Sequence, residues 1–458
     1  MLATINPKTA PMYLKHYKGL SAYLKSIVPF LALIFFTKEM QAQQLLTLRE
    51  AVQITLENNF DIRIAKNDVA IAQNNVSRAN AGMIPTVEGN LTNNNTLQNT
   101  SQTRPTGEVT ERTNARGSNL NYGVSLNWTV FDGFGMFARY DALKELQKLG
   151  DANLQLSILT RVGDVITNYY NLVQQQQQLK AYDTAVAISR FRVQTAKNRF
   201  EIGKSAKLEL LNAQVDYNTD TTNLLKQQEL YRNTKIGLNE IMGRDISLDY
   251  VVENSFQIDS GLVFNNLVQG ALSQNPTLRA ALVSKRIAEL DLKQVKANRY
   301  PVVGLTSGYN FSRSKSALGF STLNTSNGLN YGITASINIF NGFLQKRNEK
   351  NAAISIETAQ LDYQRINQSV NAQLAIAYQT YQTNLGLLKL EESNTKIATQ
   401  NLDITLAKYR LGSISQMEIR DAQLNYINST VRYSNALYQA KLAEITLKEI
   451  SGNLSLNN

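Results

Sequence analysis

Tyr122-Gly123-Val124-Ser125-Leu126-Asn127-Trp128-Thr129-Val130-Phe131-Asp132-Gly133-Phe134 is the stretch that decides how this chain folds. Tyr122, Val124, Leu126, Trp128 and Val130 alternate with Gly123, Ser125, Asn127 and Thr129. A period of two with that chemistry predicts a strand with one apolar face and one small polar face. The stretch recurs downstream, where Tyr331, Ile333, Ala335, Ile337 and Ile339 alternate with Gly332, Thr334, Ser336 and Asn338, followed by Phe340-Asn341-Gly342-Phe343. Looser alternation follows Pro85 (Val87, Gly89, Leu91) and Pro301 (Val303, Leu305, Tyr309, Phe311), which gives four strands in two hairpins, at about 85–131 and 301–340. Each apolar run is about ten residues, the length a tilted strand needs to cross a bilayer. A soluble sandwich hairpin is the competing reading of the alternation alone. The polar stretches 93–118 and 312–328 are read as long outward loops between strands.

The recurrence extends in both directions. Upstream, Leu56-Glu57-Asn58-Asn59 and Ala81-x-x-x-Pro85-x-Val87 match Leu272-Ser273-Gln274-Asn275 and Ala297-x-x-x-Pro301-x-Val303. Downstream, Phe200-x-x-Gly203, Glu209, Ala213, Gln214 and Ile241-x-Gly243 match Tyr409-x-x-Gly412, Glu418, Ala422, Gln423 and Ile450-x-Gly452. The offset is 216 positions for the upstream matches and 209 from Tyr122 onward, each held over a long span, with the change falling between strands where loops differ in length; such a pattern marks an internal duplication. The expected units are residues 43–262 and 263–458, the first carrying an insert at about 245–261.

Each copy continues into helix. No proline lies between Pro105 and Pro276 or after Pro301, and Leu143, Leu146, Leu149, Leu156, Leu159, Val162, Ile166, Tyr169 and Val173 trace a stripe at helical spacing. A helix from Phe134 to about Phe200 would be roughly 100 Å long, and the copy from Phe343 to Tyr409 matches it. Gly203 and Gly412 are placed to end these helices in the left-handed conformation. Ser205 and Ser415 are candidate N-caps for returning helices that run to about Ile241 and Ile450. Stripes on such long polar helices require coiled-coil packing. The run Gln174–Gln178 is read as solvated helix surface. The fold class is therefore mainly α with β.

The chain has 458 residues, 43% hydrophobic and 18% charged, as expected of an ordered protein. Cysteine is absent, which excludes disulfides and thiol chemistry, and His16 is the single histidine. Lys8, Lys15, Lys18 and Lys25 precede the apolar run Ile27–Phe36 and Met40-Gln41-Ala42, the layout of a signal peptide over residues 1–42, with Met12 an alternative start. The apolar run is far shorter than the roughly 20 residues of a spanning helix. No cysteine follows it, so no lipid anchor is expected. Removing residues 1–42 takes away His16, five basic residues and Glu39, leaving 42 basic and 35 acidic side chains. The positive excess is scattered and lacks the aromatic-interleaved clusters of a nucleic-acid surface, so no nucleic-acid partner is expected. Without His or Cys, and with no carboxylate pair in a telling context, no enzymatic role and no metal or cofactor is expected.

Four strands cannot close a barrel, and open edges are not tolerated in lipid. Chains must therefore pool strands, eight from two or twelve from three; the alternation does not choose. The duplication, the paired strand ends Val130-Phe131-Asp132-Gly133 and Ile339-Phe340-Asn341-Gly342, and the paired turns from Arg199 to Gln214 and from Lys408 to Gln423 resemble the TolC family of outer-membrane efflux proteins. The resemblance covers about Leu46 to Gly452. It implies a homotrimer with a twelve-stranded barrel in outer-membrane lipid and a helical tunnel across the periplasm. It also implies no catalysis, and docking to a periplasmic adaptor and an inner-membrane pump in a tripartite efflux or type I secretion system.

By the same resemblance, Gly203, Lys204, Ser205, Gly412, Ser413 and Ser415 would be adaptor-docking tips. Glu418, Asp421 and Glu209 would form an acidic constriction at the tunnel entrance. The basic partner of the family's closing lock falls on Ile414 here, so that lock is expected to be absent or rebuilt. Tyr122, Trp128, Phe131, Tyr331 and Phe340 are the expected membrane-interface aromatics. The alternative function is a soluble periplasmic coiled-coil adaptor or scaffold, which accounts for the helices and not for the strands.

Overall fold

A computed structural model describes residues 44–317 and 321–454; the expected signal peptide and His16 lie outside the described residues. β1 (Gln44–Leu46) is followed by α1 (Leu48–Asn58) and α2 (Phe60–Asn75), then β2 (Thr86–Thr103), β3 (Val109–Asp132), α3 (Gly135–Glu201) and α4 (Lys207–Met242). β4 (Tyr250–Val252) leads to the second copy. That copy comprises α5 (Phe264–Gln274), α6 (Pro276–Ala297), β5 (Val302–Lys315), β6 (Leu323–Ser336), α7 (Leu344–Leu411) and α8 (Gln416–Ile450). β1 pairs with β4, and among the described residues Gln44–Leu46 and Asp249–Val251 form a small compact unit. The rest is the large unit, in which the order helix, helix, strand, strand, long helix, helix occurs twice.

β2, β3, β5 and β6 form one antiparallel sheet in that order. Its strands have 18, 24, 14 and 14 residues, longer than the expected ten. Much of what the polar composition suggested was loop is paired: Asn93 faces Leu120, Leu97 faces Arg116, and Ser312 faces Ser326. Asn, Thr and Ser satisfy a strand that leaves the hydrocarbon as well as they satisfy a loop, because the backbone ladder is indifferent to what the side chains meet. β6 stops at Ser336, opposite Val302 where β5 begins, so Ile337–Phe340 have no partner strand within the chain.

Each strand pair passes into its long helix through one turn chemistry. Gly133 and Phe134 have φ +69° and +69°, and Gly342 and Phe343 have +64° and +63°. Asp132 Oδ1 accepts from Met136 N at 2.9 Å and Asn341 Oδ1 from Gln345 N at 3.3 Å, so the Asp/Asn-Gly-Phe pair noticed in sequence caps a helix. α3 and α7 run 67 and 68 residues, about 100 Å each. The α3 stripe is buried from Val162 through Ile166, Tyr169 and Val173, whereas Leu146 and Leu156, nearer the sheet, remain exposed. Gln174, Gln175 and Gln178 are buried, contrary to the solvated reading. Gln178 Nε2 donates to Ser434 Oγ at 3.1 Å and Asn435 Oδ1 at 2.8 Å, and Gln174 also reaches Asn435. The run is a polar ladder: Gln174 and Gln178 bond to α8, and Gln175 accepts from Gln227 Nε2 on α4.

The irregular segment after β4 is fastened to α8. Lys441 Nζ donates to Gln257 O at 2.7 Å, Glu444 accepts from Asp259 N at 3.0 Å, and Lys448 lies 3.3 Å from Asp259. Burial lowers the Lys441 pKa, while the adjacent Glu444 opposes that shift.

Both copies close through the same pair of residues. Asn59 caps α2 by accepting from Asp61 N and Ile62 N, and donates to Ile241 O at 2.7 Å. Asn275 does the same for α6 and donates to Ile450 O at 2.9 Å. Gly243 and Gly452, at φ +66° and +77°, leave no room: an added Cβ would sit 2.7 Å from backbone atoms of Asn58 and Gln274 respectively. Asn59→Ala removes a cap and a half-buried cross-chain bond and is expected to cost about 2–3 kcal/mol. Gly243→Ala should cost more, since strain and clash combine. Chemical unfolding of the detergent-purified protein measures both, and wild-type midpoints would refute the closure role.

Candidate functional site: the helical tips and the sheet surface

The tips join α3 to α4 and α7 to α8. Gly203 and Gly412 are left-handed, at φ +74° and +77°. Lys204 N donates to Arg199 O at 2.8 Å, and Ser413 N to Lys408 O at 3.1 Å, so all four residues complete helix C-caps. Ser415 is the N-cap of α8 and forms a capping box with Glu418. Ser205 is not the cap of α4. That place falls to Ala206, which has no capping side chain, and Ser205 Oγ is buried without a hydrogen-bond partner. The duplicated alignment explains the difference: Ser415 matches Ala206, whereas Ser205 matches Ile414. Around the caps, Ile202, Leu208, Leu411 and Met417 are strongly exposed, a surface that turn residues alone did not announce.

Of the three expected acids, Asp421 and Glu418 are exposed and Glu209 half-buried. Glu418 Oε1 accepts from Ser415 N at 3.1 Å and Ser415 Oγ at 2.9 Å. Those bonds, backbone first, hold its carboxyl below the ordinary glutamate value. A depressed folded pKa means the cap is intact above the ordinary carboxyl range and is lost as pH falls through the folded value. Protection factors of the amides at the start of α8, corrected for the intrinsic rate, should therefore fall as the pH drops below the ordinary carboxyl range. Ser415→Ala should remove that pH dependence, and an unchanged profile in the variant would refute the coupling.

Behind the tips lies a buried polar network that joins the two hairpins. Arg192 on α3 is almost fully buried and pairs with Asp216 on α4 at 2.7 Å. Arg420 on α8 reaches Asp220 at 2.8 Å and Asp216 at 3.5 Å. Gln423, fully buried on α8, donates to Asp220 Oδ2 and Ser189 Oγ, each at 2.9 Å, and accepts from Arg192 at 3.3 Å. Nearer the tip, the Arg199 guanidinium lies 5.1 Å from the ring centre of Tyr409, and Arg410 lies 5.6 Å from that of Phe191. Ile414 takes no part in charge pairing and packs on the apolar cluster of Ile188, Leu402, Tyr409 and Ile419. The sequence reading missed Arg192, Asp216, Asp220 and Arg420. Their available signal was Gln423, matched across the repeat at a position inside an apolar seam.

On the sheet, Tyr122, Val124, Trp128 and Val130 are exposed, as are Tyr331, Ile333, Ile337 and Ile339. The register aligns these residues on one face: Leu91, Tyr122 and Phe311 share a row, as do Trp128, Leu305 and Ile333. The Tyr122 and Phe311 rings stack with centres 4.9 Å apart. At the other end Phe131 and Phe340 pack edge-on against Phe134 and Phe343, and Trp128 Nε1 donates to Met83 O at 2.9 Å. The ten residues from Tyr122 to Phe131 span about 23 Å across a bilayer at the usual strand tilt, close to the height of an outer-membrane apolar band. The opposite face carries Ser125, Asn127, Thr306 and Gly332. Among the described residues no helix is long and apolar enough to cross a membrane, and no group of acidic side chains could hold a metal ion.

An apolar outer sheet face over a polar inner one, continued by long helical hairpins, defines a channel component of the outer membrane. Residues 51–244 and 267–453 match the outer membrane efflux protein family, one match per copy. The chain is 23% identical over 310 residues to outer membrane protein TolC of Vibrio cholerae, covering 66% of this chain and 69% of the relative. It is 23% identical over 358 residues to the Escherichia coli TolC, covering 74% and 71%. Among solved structures, the Campylobacter jejuni CmeC outer membrane channel superposes with TM-score 0.73 at 17% identity, over 88% of this chain and 85% of that one. The open state of the Neisseria gonorrhoeae MtrE outer membrane channel gives 0.67 at 15% identity, over 89% of each. The chain belongs to the outer membrane efflux protein family.

Removing one partner from the buried network leaves a charge without compensation, which typically costs about 3–5 kcal/mol. Arg420→Ala should therefore speed amide exchange in α3, α4 and α8 near the tips. Combining it with Asp220→Ala should restore part of the loss. Strict additivity of the two substitutions would refute the pairing.

Proposed function

We propose that three copies of this chain form a passive exit duct. The observation that carries this reading is the sheet, whose β2 and β6 are open edges beneath a lipid-compatible face. Unpaired backbone is not tolerated in hydrocarbon, so each β6 must pair with the β2 of a neighbour, and three chains close twelve strands. The helices ask for the same ring. α3 packs on α8 within the chain, while the matching faces are uncovered: Leu211, Val215 and Leu225 on α4, and Leu387, Leu390 and Ile397 on α7 are exposed. In a ring, α4 of one chain would meet α7 of the next as α8 meets α3.

The duct needs no chemistry of its own; an inner-membrane pump would supply energy through a periplasmic adaptor. Adaptor docking at Gly203, Lys204, Ser205, Gly412, Ser413 and Ser415 is supported by the apolar crown of Ile202, Leu208, Leu411 and Met417, which would be costly to leave in water. Asp421 and Glu418, repeated three times around an axis, would give the entrance a negative field that favours cations. The buried Arg192–Asp216–Arg420–Asp220 network would take the place of the lock lost at Ile414. A soluble adaptor is disfavoured by the exposed apolar sheet face.

The protein should resist carbonate washing, require detergent for extraction and crosslink as a trimer. In planar bilayers it should conduct with cation preference. Glu418→Gln preserves an acceptor for the capping box, so Glu418→Gln with Asp421→Asn removes charge without disturbing the cap. This pair should weaken cation selectivity several-fold, and unchanged selectivity would place the constriction elsewhere. A soluble monomer would refute the duct.

A further inference from the structure

Beyond the aromatic row, the outward face of the sheet changes from apolar to cationic. Continuing the register from Leu91, Tyr122 and Phe311, the next outward row is Asn93, Leu120 and Arg313. The row after that is Asn95, Ser118 and Lys315, and Arg116 stands opposite Leu97 in the row beyond. Arg116, Arg313 and Lys315 are all exposed, and among the described residues none has a carboxylate partner. The acids at this end of the β2–β3 hairpin are occupied elsewhere: Glu108 pairs with Arg104 at 3.0 Å, and Glu111 accepts from Ser101; Glu88 and Asp132 lie towards its other end. Between the strands the same face is hollowed, with a cavity of about 460 Å³ lined by Asn95, Leu97, Arg116, Ser118 and Lys315. The inner face at this level, Asn94, Asn119, Ser314 and Asn324, carries no charge, so the cations are not arranged for cargo in the lumen.

The depth of these groups selects their partner. Arg313, Lys315 and Arg116 lie two, four and six residues beyond the Tyr122–Phe311 row, which places their backbone about 5, 10 and 15 Å past the edge of the apolar band along the membrane normal, within reach of a headgroup for side chains as long as these. That is the headgroup layer. The helices leave from the opposite end of the sheet, so in an outer-membrane orientation this layer belongs to the outer leaflet. We propose that the hollow between Arg116 and Lys315 binds the phosphorylated headgroup of an outer-leaflet glycolipid, with Arg313 as a flanking contact. Arg116 offers a planar fork for phosphate oxygens, Lys315 a mobile point charge, and Asn95 and Ser118 hydrogen bonds to headgroup hydroxyls. Leu120, one row nearer the apolar band than Lys315, keeps the acyl side of the lipid against the sheet. The proposal rests on the outer-membrane reading above.

The test uses the full-length protein purified as its trimer in detergent, with lipid A as probe and binding followed by native mass spectrometry. Wild type should retain lipid A and bind its dephosphorylated form on the order of tenfold more weakly, the loss expected for charge-assisted bonds. Arg116→Gln with Lys315→Gln should weaken lipid A binding by a similar factor while trimer and conductance persist. Equal affinity of variant and wild type would overturn the proposal, as would equal retention of phosphorylated and dephosphorylated lipid. Binding of inorganic pyrophosphate with the affinity of lipid A would also overturn it, since the site would then hold a free anion. Should the double variant fail to assemble, Lys315→Gln alone and the phosphate dependence of wild type decide. Absence of the protein from outer-membrane fractions would refute the underlying reading, whereas correct insertion with unchanged lipid binding would refute only this site.

Discussion

Backbone hydrogen bonding at the edges of the four-stranded sheet is the constraint on which the rest depends. β2 and β6 each present a row of amides and carbonyls with no partner in the chain, under a surface of Tyr331, Ile333 and Leu91 that belongs in lipid. In water such edges are an aggregation hazard, and in hydrocarbon they are untenable. A chain built this way is a fraction of a closed wall, and its duplication serves closure: two hairpins in register give a wider arc from one gene product. The turns at Asp132-Gly133-Phe134 and Asn341-Gly342-Phe343 then carry each hairpin into a helix of about 100 Å, so the curvature set in the membrane continues into the helical wall.

The helical body uses polar contacts where its helices must stay in fixed registry. Gln174, Gln175 and Gln178 reach across from α3, and Gln423 returns from α8 into the Arg192–Asp216–Arg420–Asp220 cluster. A purely apolar seam would let helices of this length slide by a turn at little cost; a satisfied polar ladder penalises every other register. The same cluster sits where two hairpins meet just behind the tips.

The two copies are not equivalent at the tips. Ser415 and Glu418 form a capping box, whereas Ala206 caps α4 without a side chain. Asp421 has Asn212 as its counterpart in the first copy. The side-chain cap and the Glu418–Asp421 pair thus belong to the second hairpin alone. Glu418 serves its own helix first, and any role in a field at the entrance is carried by a carboxylate whose position the cap already holds.

The strands, the long helices, the duplication and the turn glycines were legible in the sequence because each has a local cause: period two, period three to four, or a left-handed residue. Asn59 and Asn275, matched across the copies, likewise announced themselves before their bonds to Ile241 and Ile450 were visible. The length of the strands was not legible, since Asn93–Thr103, Val109–Ser118, Ser312–Lys315 and Leu323–Gly328 have the composition of a loop and only pairing with a neighbouring strand makes them sheet. Ser205 and Ser415 looked alike as caps; one residue of register, set by how each hairpin closes, left Ser205 without a partner. Arg192, Asp216, Asp220 and Arg420 were indistinguishable from surface charges, because burial of a charge depends on which helix lies across from it. Sequence alone determined the elements and their repetition. Only the tertiary structure decided which polar residues turn inward, because that choice is made by contacts between residues two hundred or more positions apart, such as Arg192 with Gln423 and Asp220 with Arg420.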